Sequence, residues 1–232
     1  LEETKIGRLD HKIEKLQIIR HVPGVEWLHP DAMSGDAGIT LEEYAPFGVV
    51  GAILPVTHSV PTLSGNIVNM VAAGNAVVFN PHPGGARSAA LAVRTYNEAI
   101  ERETGIDNLV CTVAQPSLES FDALCKSPHV GLLAITGGPA VVGAAMRSGK
   151  RAICAGPGNP PVVVDETADI RKAARDVVKG AAYDNNLLCV GEKQVFVVDS
   201  VFKAFLAALG EFGGFALTAP QVEKLSAAAF TL

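Results

Sequence analysis

The stretch Val49-Val50-Gly51-Ala52-Ile53-Leu54 decides the fold. It contains no polar side chain, so the pattern predicts a strand that is buried on both faces. A helical pattern follows near residues 63–73, and residues 76–79 predict a second strand of the same kind. A buried strand, a helix and another buried strand together indicate a parallel sheet that is covered by helices on both sides.

The same alternation continues along the chain. It predicts further helices near residues 87–101, 118–126 and 139–148 and further strands at 109–113, 130–135, 152–155 and 162–164. The predicted fold class is therefore α/β, a doubly wound parallel sheet, in which ligands bind outside the carboxyl ends of the strands. We expect binding residues in the loops at those ends, which cover 55–61, 80–85, 136–139 and 156–161.

The region before this sheet carries a weaker pattern. Apolar residues at three- and four-residue spacing predict an amphipathic helix that is ended by Pro23-Gly24, and residues 38–44 predict a short strand. The chain opens on Leu1, which suggests that residues precede it in the whole protein.

Residue 165 is predicted to begin a second α/β domain. Asp169 is placed to cap a long amphipathic helix that ends at Asp184-Asn185-Asn186, and residues 193–198 predict a strand. Two more helical patterns follow, at 202–209 and 221–229. The predicted domains are thus residues 1–164, an N-terminal arm with a ligand-binding sheet, and residues 165–232.

Composition excludes several classes of protein. The chain has 232 residues, 48% of them hydrophobic, and a formal net charge of −5, which argues against nucleic acid or a membrane surface as the main partner. No apolar run reaches the roughly 20 residues of a membrane span. The four cysteines show no metal-binding spacing, so we expect no metal site and no disulfide framework, as in a reducing, cytosol-like compartment.

Cys189 is the candidate nucleophile among the four cysteines. It follows the polar Asp184-Asn185-Asn186 turn and precedes Gly191-Glu192-Lys193, whereas Cys111, Cys125 and Cys154 are better explained as small buried residues. From this context alone, the nucleophile hypothesis has an equal alternative, in which Cys189 only fills space in the packing. A reactive thiol could add to an aldehyde, provided that donors stabilise the oxyanion and a hydride acceptor binds beside it.

Two strand-end loops are candidates for a nucleotide site. Ile135-Thr136-Gly137-Gly138-Pro139 predicts a strand, a small-residue turn and a helix start whose backbone N–H groups could face a diphosphate; the alternative is a tight turn without a ligand. Asn80-Pro81-His82-Pro83-Gly84-Gly85 could donate to ribose or phosphate, with a plain rigid loop as its alternative. The histidines form no recognisable triad with Cys189.

Taken in order, these segments resemble the aldehyde dehydrogenase superfamily. The resemblance runs from Tyr44 to Val198 and rests on Pro46-Phe47-Gly48-Val49-Val50-Gly51, Ala72-Ala73-Gly74-Asn75-Ala76-Val77-Val78, Thr136-Gly137 and the position of Cys189. It implies an aldehyde dehydrogenase-like Rossmann variant, with the start of the catalytic domain at residues 165–232. Members of the superfamily extend further at both ends, so the resemblance also implies a partial chain.

Departures from the hydrolytic members of the superfamily are informative. Those enzymes carry Pro-Trp-Asn at Pro55-Val56-Thr57, Lys-Pro at Asn80-Pro81 and Gly-Ser at Gly137-Gly138. Their Glu-Leu-Gly-Gly-Lys corresponds to Cys154-Ala155-Gly156-Pro157-Gly158, so the glutamate that activates water is absent. General-base help contributes about 10²–10⁴-fold, so hydrolysis of the thioacyl intermediate should be slow without it, and a thiol could take the acyl group instead.

The chain is similar to the CoA-acylating branch of ethanolamine- and propanediol-utilisation type in Asn80-Pro81-His82-Pro83-Gly84, Ala134-Ile135-Thr136-Gly137-Gly138-Pro139 and Asn185-Asn186-Leu187-Leu188-Cys189. This resemblance implies NAD-dependent oxidation of a short aldehyde to acyl-CoA, by a ping-pong route through a thiohemiacetal and a thioacyl-enzyme. NADP in place of NAD stays open, as do two alternatives: a hydrolytic aldehyde dehydrogenase and a non-catalytic nucleotide-binding module. The resemblance also implies that the full-length protein is a homo-oligomer. It further implies a location in the cytoplasm or inside a bacterial microcompartment, among shell or cargo proteins.

Carried over by position, Cys189 is the nucleophile, and its N–H with Thr57 lines the oxyanion site. Asn80 is expected near the adenosine ribose, and Gly156 near the nicotinamide. The full set of expected cofactor-binding residues is Ile53, Leu54, Pro55, Asn80, Pro81, His82, Thr136, Gly137, Gly138 and Gly156.

Overall fold

A computed structural model describes residues 1–229 of the chain as two units. The first unit is Leu1–Pro157, and the second begins at Gly158. Strand Pro161–Val164 belongs to the second unit, because it pairs with Gln194–Val197 of that unit and not with the large sheet.

The first unit contains a hairpin, a five-stranded sheet and five α-helices in the described residues. Its elements are α1 (Leu9–Gln17), β1 (Asp31–Gly35), β2 (Gly38–Glu42), β3 (Val49–Leu54), α2 (Ser59–Ala72), β4 (Ala76–Pro81), α3 (Ala86–Thr104), β5 (Val110–Thr112), α4 (Leu118–Lys126), β6 (Val130–Thr136), α5 (Pro139–Arg147) and β7 (Ala152–Ala155).

The large sheet is fully parallel, with strand order β5-β4-β3-β6-β7. The chain runs outward from β3 through β4 to β5, returns to the other side of β3 as β6, and continues to β7. Helices cover both faces, so the predicted doubly wound α/β fold is confirmed. The order reverses between β3 and β6, which makes the crevice at their carboxyl ends the expected ligand site.

Alternate residues of β3 enter two separate cores, which explains why this strand has no polar side chain. Ala52 and Leu54 pack with Leu63 of α2 and neighbouring residues of α3, while Ile53 packs on the opposite face with Leu133 and residues of α4 and α5. The side chains of Leu54, Leu63 and Leu133 are at most 1% exposed.

Asn75 joins the start of β3 to the end of α2. Its buried Oδ1 accepts hydrogen bonds from the N–H groups of Phe47 (2.7 Å) and Gly48 (3.1 Å). Its Nδ2 donates to the carbonyl oxygens of Met70 (3.0 Å) and Ala73 (3.3 Å). The Ala72-Ala73-Gly74-Asn75 motif is thus a structural clamp that sets where β3 begins.

The N-terminal arm differs from the prediction. The expected apolar face of α1 is exposed at Leu9, Ile13 and Leu16, and the buried residue of the helix is Lys15. Strand β1 was not predicted, because its sequence Asp31-Ala32-Met33-Ser34-Gly35 has no alternation of apolar residues. It pairs antiparallel with β2, and every residue of the two strands is exposed.

The second unit contains a two-stranded parallel sheet that packs against helices. Its elements in the described residues are β8 (Pro161–Val164), α6 (Ile170–Ala182), β9 (Gln194–Val197), α7 (Asp199–Glu211) and α8 (Ala219–Ala229). Val164, Val177 and Phe205 lie in its core. The predicted cap of α6 is confirmed, since Asp169 Oδ1 accepts from the Lys172 N–H at 3.0 Å.

Candidate active site

The switch point of the large sheet lies between two of the four strand-end loops in which binding residues were expected. Pro55 and Thr57 follow the carboxyl end of β3, and Gly137 and Gly138 follow that of β6, the strand paired with β3. Asn80 and Pro81 end the adjacent strand β4, and Gly156 follows the edge strand β7. The fold thus brings all the expected cofactor-binding positions to one edge of one sheet.

The start of α5 has the features of an anion site. Gly138 is the N-cap and offers no side chain, and Pro139 occupies the first helical position. The Gly137 N–H donates to the Ala155 carbonyl on β7 (3.1 Å), which fixes the turn. No side-chain cap bonds this helix start among the described residues, and the helix begins directly after the carboxyl end of β6, where its positive dipole end favours an anion.

Several expected cofactor-binding residues have buried side chains. Ile53 and Leu54 point into the two cores, and Pro81 is fully buried, so these three can meet a ligand only through their backbone. Asn80 is 6% exposed, and its Oδ1 accepts a hydrogen bond from Ser120 Oγ at 2.6 Å. Its side chain is therefore tied to the start of α4.

His82 and Thr57 lie in loops and are more open. His82 Nδ1 accepts from the Gly84 N–H (3.1 Å) and caps the short turn before α3, while the residue itself is exposed. The Thr57 carbonyl accepts a hydrogen bond from Lys12 Nζ at 2.8 Å. Lys12 on α1 thereby holds the loop that carries Thr57, a link that the sequence did not suggest.

Cys189 lies in an exposed loop of the second unit, between α6 and β9. The loop is entered by three consecutive non-glycine residues with positive φ: Asp184 (49°), Asn185 (58°) and Asn186 (56°). Asp and Asn adopt this left-handed conformation more readily than other side chains, which explains why they occur here. A turn of this kind costs free energy and persists only where its surroundings stabilise it.

Lys193 and Asn186 supply that stabilisation. Lys193 Nζ donates to Asn186 Oδ1 (2.6 Å) and to the carbonyl oxygens of Leu188 (2.9 Å) and Gly191 (3.1 Å). Asn186 Nδ2 in turn donates to the Glu192 carbonyl at 3.1 Å. We call these two side chains the lysine–asparagine brace. It bonds the carbonyl oxygens of Leu188, before Cys189, and of Gly191 and Glu192, after it.

Gly158 packs directly against the same loop. A Cβ atom at residue 158 would lie 2.0 Å from the Cys189 carbonyl oxygen, so only glycine fits here. Sequence reasoning missed this contact, and it also did not assign the brace. The available signals were the Asp184-Asn185-Asn186 run, which is typical of left-handed turns, and the nearby Lys193.

The other three cysteines are less accessible than Cys189. Cys125 is buried, and Cys111 and Cys154 are half-buried. Burial raises the pKa of the Cys125 thiol, and the neighbouring Asp122 charge raises it further against an opposing effect of Lys150. Within residues 1–229, no group of three or more His, Cys, Asp or Glu side chains could hold a metal ion.

A doubly wound sheet with an open helix start at its switch point, together with an exposed and braced cysteine in the following unit, is typical of cysteine-dependent dehydrogenases. The particular family is clear from comparison with known proteins. The sequence pattern of the aldehyde dehydrogenase family matches residues 16–213, and the chain belongs to this family.

Similar proteins act on short aldehydes. The chain is 46% identical over 227 residues to the acetylating acetaldehyde dehydrogenase EutE of Salmonella typhimurium, a match that covers 97% of the chain and 49% of that protein. It therefore spans about half the length of the curated relatives it matches.

No helix in the described part of the chain is long and apolar enough to cross a membrane.

Two solved structures are similar to this chain over nearly all of its length. A propionaldehyde dehydrogenase from a fucose-utilisation bacterial microcompartment of Clostridium phytofermentans has a TM-score of 0.89 and 46% identity, with 97% of this chain and 52% of that one covered. A Rhodopseudomonas palustris propionaldehyde dehydrogenase with bound CoA and an acylated cysteine has a TM-score of 0.89 and 44% identity, with 98% and 52% covered.

Proposed function

We propose that the whole protein is a CoA-acylating aldehyde dehydrogenase that oxidises a short aldehyde with NAD or NADP. The observation that carries this proposal is Cys189, exposed in a loop that Lys193 and Gly158 hold in place. The similarity to a protein solved with CoA and an acylated cysteine supports the same role. In this proposal the first unit binds the nucleotide, and the second begins the catalytic domain.

The proposed chemistry uses the Cys189 sulfur twice. The thiolate adds to the aldehyde carbon, and the carbonyl electron pair moves to oxygen, where the Cys189 N–H and Thr57 would stabilise the negative charge. The oxyanion collapses to a thioester as the carbon loses a hydride, which the nicotinamide accepts when the dinucleotide is bound. The CoA thiolate then attacks the thioester carbon, acyl-CoA leaves and the Cys189 thiolate is restored. The net reaction converts aldehyde, CoA and NAD⁺ to acyl-CoA, NADH and a proton.

The open helix start supports the nucleotide part of the proposal. Gly138 and the first turn of α5 would hold the diphosphate with backbone donors, and the backbone of Leu54 and Pro55 would pass beneath the nucleotide. Asn80 and His82 would lie toward its adenosine end. Residues 80–85 contain no Asp or Glu that would repel a 2′-phosphate and no Lys or Arg that would select it, so both NAD and NADP belong in the test.

Position 154 supports thioester release to a thiol over hydrolysis. The residue is a half-buried cysteine on β7, and Ala152–Ala155 contains no carboxylate that could activate water. A thiol acceptor needs less help from a base than water does, since thiols ionise more readily. CoA is therefore the proposed acceptor, with a hydrolytic enzyme as the alternative outcome of the experiment.

The test uses the full-length protein with acetaldehyde, propionaldehyde or lactaldehyde, with and without CoA. We expect steady NADH formation only with CoA, and acyl-CoA as the product by mass spectrometry. Cys189→Ala should abolish turnover, while the matched Cys111→Ala should retain it. Free acid at an equal rate without CoA would establish the hydrolytic alternative. If Cys189→Ala leaves every activity of the full-length protein unchanged, the result would support the alternative that this chain is a nucleotide-binding module without a catalytic role.

Partners and location follow from the same proposal. The aldehyde and CoA are the small-molecule partners, and the full-length chain is proposed to form a homo-oligomer. The microcompartment origin of a similar protein supports encapsulation among shell or cargo proteins, with the bacterial cytoplasm as the alternative. Native mass spectrometry of the full-length protein tests the oligomer, and co-purification with shell proteins tests encapsulation.

A further inference from the structure

The carbonyl of the peptide bond between Leu188 and Cys189 accepts two hydrogen bonds. The Leu188 oxygen is bonded by Lys193 Nζ (2.9 Å) and by the Gly191 N–H (3.2 Å). The nitrogen of this same peptide unit is the backbone N–H of Cys189. Whatever orients and polarises the Leu188 carbonyl therefore acts directly on the Cys189 N–H.

Lys193 is an exposed residue whose ammonium group is hydrogen-bonded within the loop. An ammonium group has three N–H donors, and the acceptors of Lys193 on Asn186, Leu188 and Gly191 match that number. Two of these acceptors are backbone carbonyls within the cysteine loop. A lysine used only for solubility would leave its ammonium in water, because fixing a long side chain costs conformational entropy.

Asn186 explains why the ammonium stays there. Its Oδ1 accepts from Lys193, and its Nδ2 donates to the Ala181 carbonyl and, at 3.1 Å, to the Glu192 carbonyl. The brace therefore connects the last turn of α6 to both sides of Cys189. The side chains of Lys193 and Asn186 therefore set the orientation of the Leu188–Cys189 peptide plane.

We propose that Lys193 is a positioning residue that orients and polarises the Leu188–Cys189 peptide, so that the Cys189 N–H is a strong donor to the oxyanion. This inference rests on the proposed function and deepens it. A charged donor on the carbonyl draws electron density toward oxygen, and hydrogen bonds linked through one peptide strengthen one another. The gain falls on the transition state, because the negative charge on the substrate oxygen develops only there.

The proposal separates two reactions of the same sulfur. Addition to an aldehyde creates an oxyanion and needs the Cys189 N–H, whereas alkylation by iodoacetamide displaces iodide and creates no oxyanion. A residue that serves the oxyanion should therefore affect the first reaction and spare the second. A residue that only maintains the shape of the loop should affect both reactions together.

The experiment compares full-length wild type with Lys193→Met, Lys193→Arg and the control Lys203→Met, which alters an exposed lysine of α7. The first readout is the pre-steady-state burst of NADH with propionaldehyde, which needs no CoA. The second is the rate of Cys189 alkylation by iodoacetamide, followed by peptide mass spectrometry. Thermal unfolding shows whether each variant is folded.

We expect Lys193→Met to slow the burst roughly 10- to 100-fold, less than the roughly 10²–10³-fold lost with a whole oxyanion donor. KM for the aldehyde and the alkylation rate should stay within about twofold. Lys193→Arg should recover part of the burst rate, since it keeps a charged donor, and Lys203→Met should match wild type.

A burst within about twofold of wild type in Lys193→Met would overturn the proposal, and so would a parallel loss of burst and alkylation. If wild type shows a burst but makes no acyl-CoA, the proposed acceptor is wrong, and the result on Lys193 can still be interpreted. If wild type shows no burst at all, both proposals fail.

Discussion

Gly158 lies in direct contact with the backbone of Cys189, so close that a Cβ atom at residue 158 would come within 2.0 Å of the Cys189 carbonyl oxygen and 3.0 Å of its carbonyl carbon. The colliding atoms belong to the backbone, which cannot rotate away as the end of a flexible side chain could. The conformation of the cysteine loop therefore depends on a glycine that lies far from it in sequence.

Gly158→Ala is expected to displace the Cys189 loop and to lower kcat of the full-length enzyme about 10²-fold, since a shift of about 1 Å can misplace a reacting group by that much. Gly210→Ala is the matched control. Its site in the last turn of α7 has no neighbouring atom within 4 Å of the added methyl group, so activity and stability should both persist. Equal activity of Gly158→Ala and wild type would contradict the structure of the loop.

Asn75→Ala should destabilise the protein by about 2–4 kcal/mol, because the N–H groups of Phe47 and Gly48 would lose their buried acceptor. Urea unfolding followed by circular dichroism measures the change in the free energy of unfolding. Asn69→Ala, at an exposed position of the same helix α2, is the control and should stay within about 0.5 kcal/mol of wild type. Equal losses in the two variants would refute the clamp.

The parallel sheet could be predicted from sequence because its strands are buried on both faces. The run from Val49 to Leu54 contains no polar side chain, and its six residues are too few for a typical buried helix. The hairpin of β1 and β2 could not be predicted in full. Its residues are exposed on both faces, so the sequence there need not alternate between apolar and polar residues. The pairing of β8 with β9 could not be predicted, because it joins residues far apart along the chain.

The candidate site was predictable as a set of loops, but the roles of its side chains were not. Gly138 could be assigned to a helix start from Pro139, because the sequence signal is local. Two hydrogen bonds of the site join distant segments: Ser120 Oγ to Asn80, and Lys12 to the Thr57 carbonyl. The spacing of residues in the sequence does not predict such bonds. The brace on Cys189 was missed for a different reason, because a lysine near a turn is usually solvated.

Glu3→Gln is expected to destabilise the protein at neutral pH by about 0.5–2 kcal/mol, the usual value of a helix cap. The Glu3 carboxylate accepts from the N–H groups of Arg87 (2.8 Å) and Ser88 (2.7 Å) at the start of α3, and also from the Ser88 hydroxyl. Burial raises the pKa of Glu3, but these hydrogen bonds and the Arg87 charge outweigh it and lower the pKa below its ordinary value of 4.5.

A lowered pKa in the folded state makes this contribution depend on pH in a definite direction. The stabilisation is complete above the unfolded pKa of 4.5 and is lost as the pH falls through the lower folded pKa. The difference between wild type and Glu3→Gln should therefore be constant at neutral pH and disappear in acid. Glu2→Gln, at an exposed neighbour, should show no such difference. A difference that grows on acidification would exclude the cap.

Iodoacetamide is expected to modify Cys189 first and Cys125 last in the folded protein. Cys189 is exposed, whereas burial both shields Cys125 and raises the pKa of its thiol, so that less of it is the reactive thiolate at a given pH. Each unit by which a thiol pKa is raised lowers the thiolate fraction about tenfold at a pH below it. Even at a pH of about 8.5, Cys125 should therefore stay largely unmodified in the folded protein. Peptide mass spectrometry over time measures both rates, and labelling in urea should expose all four cysteines. Labelling of Cys125 as fast as Cys189 in the folded protein would contradict the burial of α4 against the sheet.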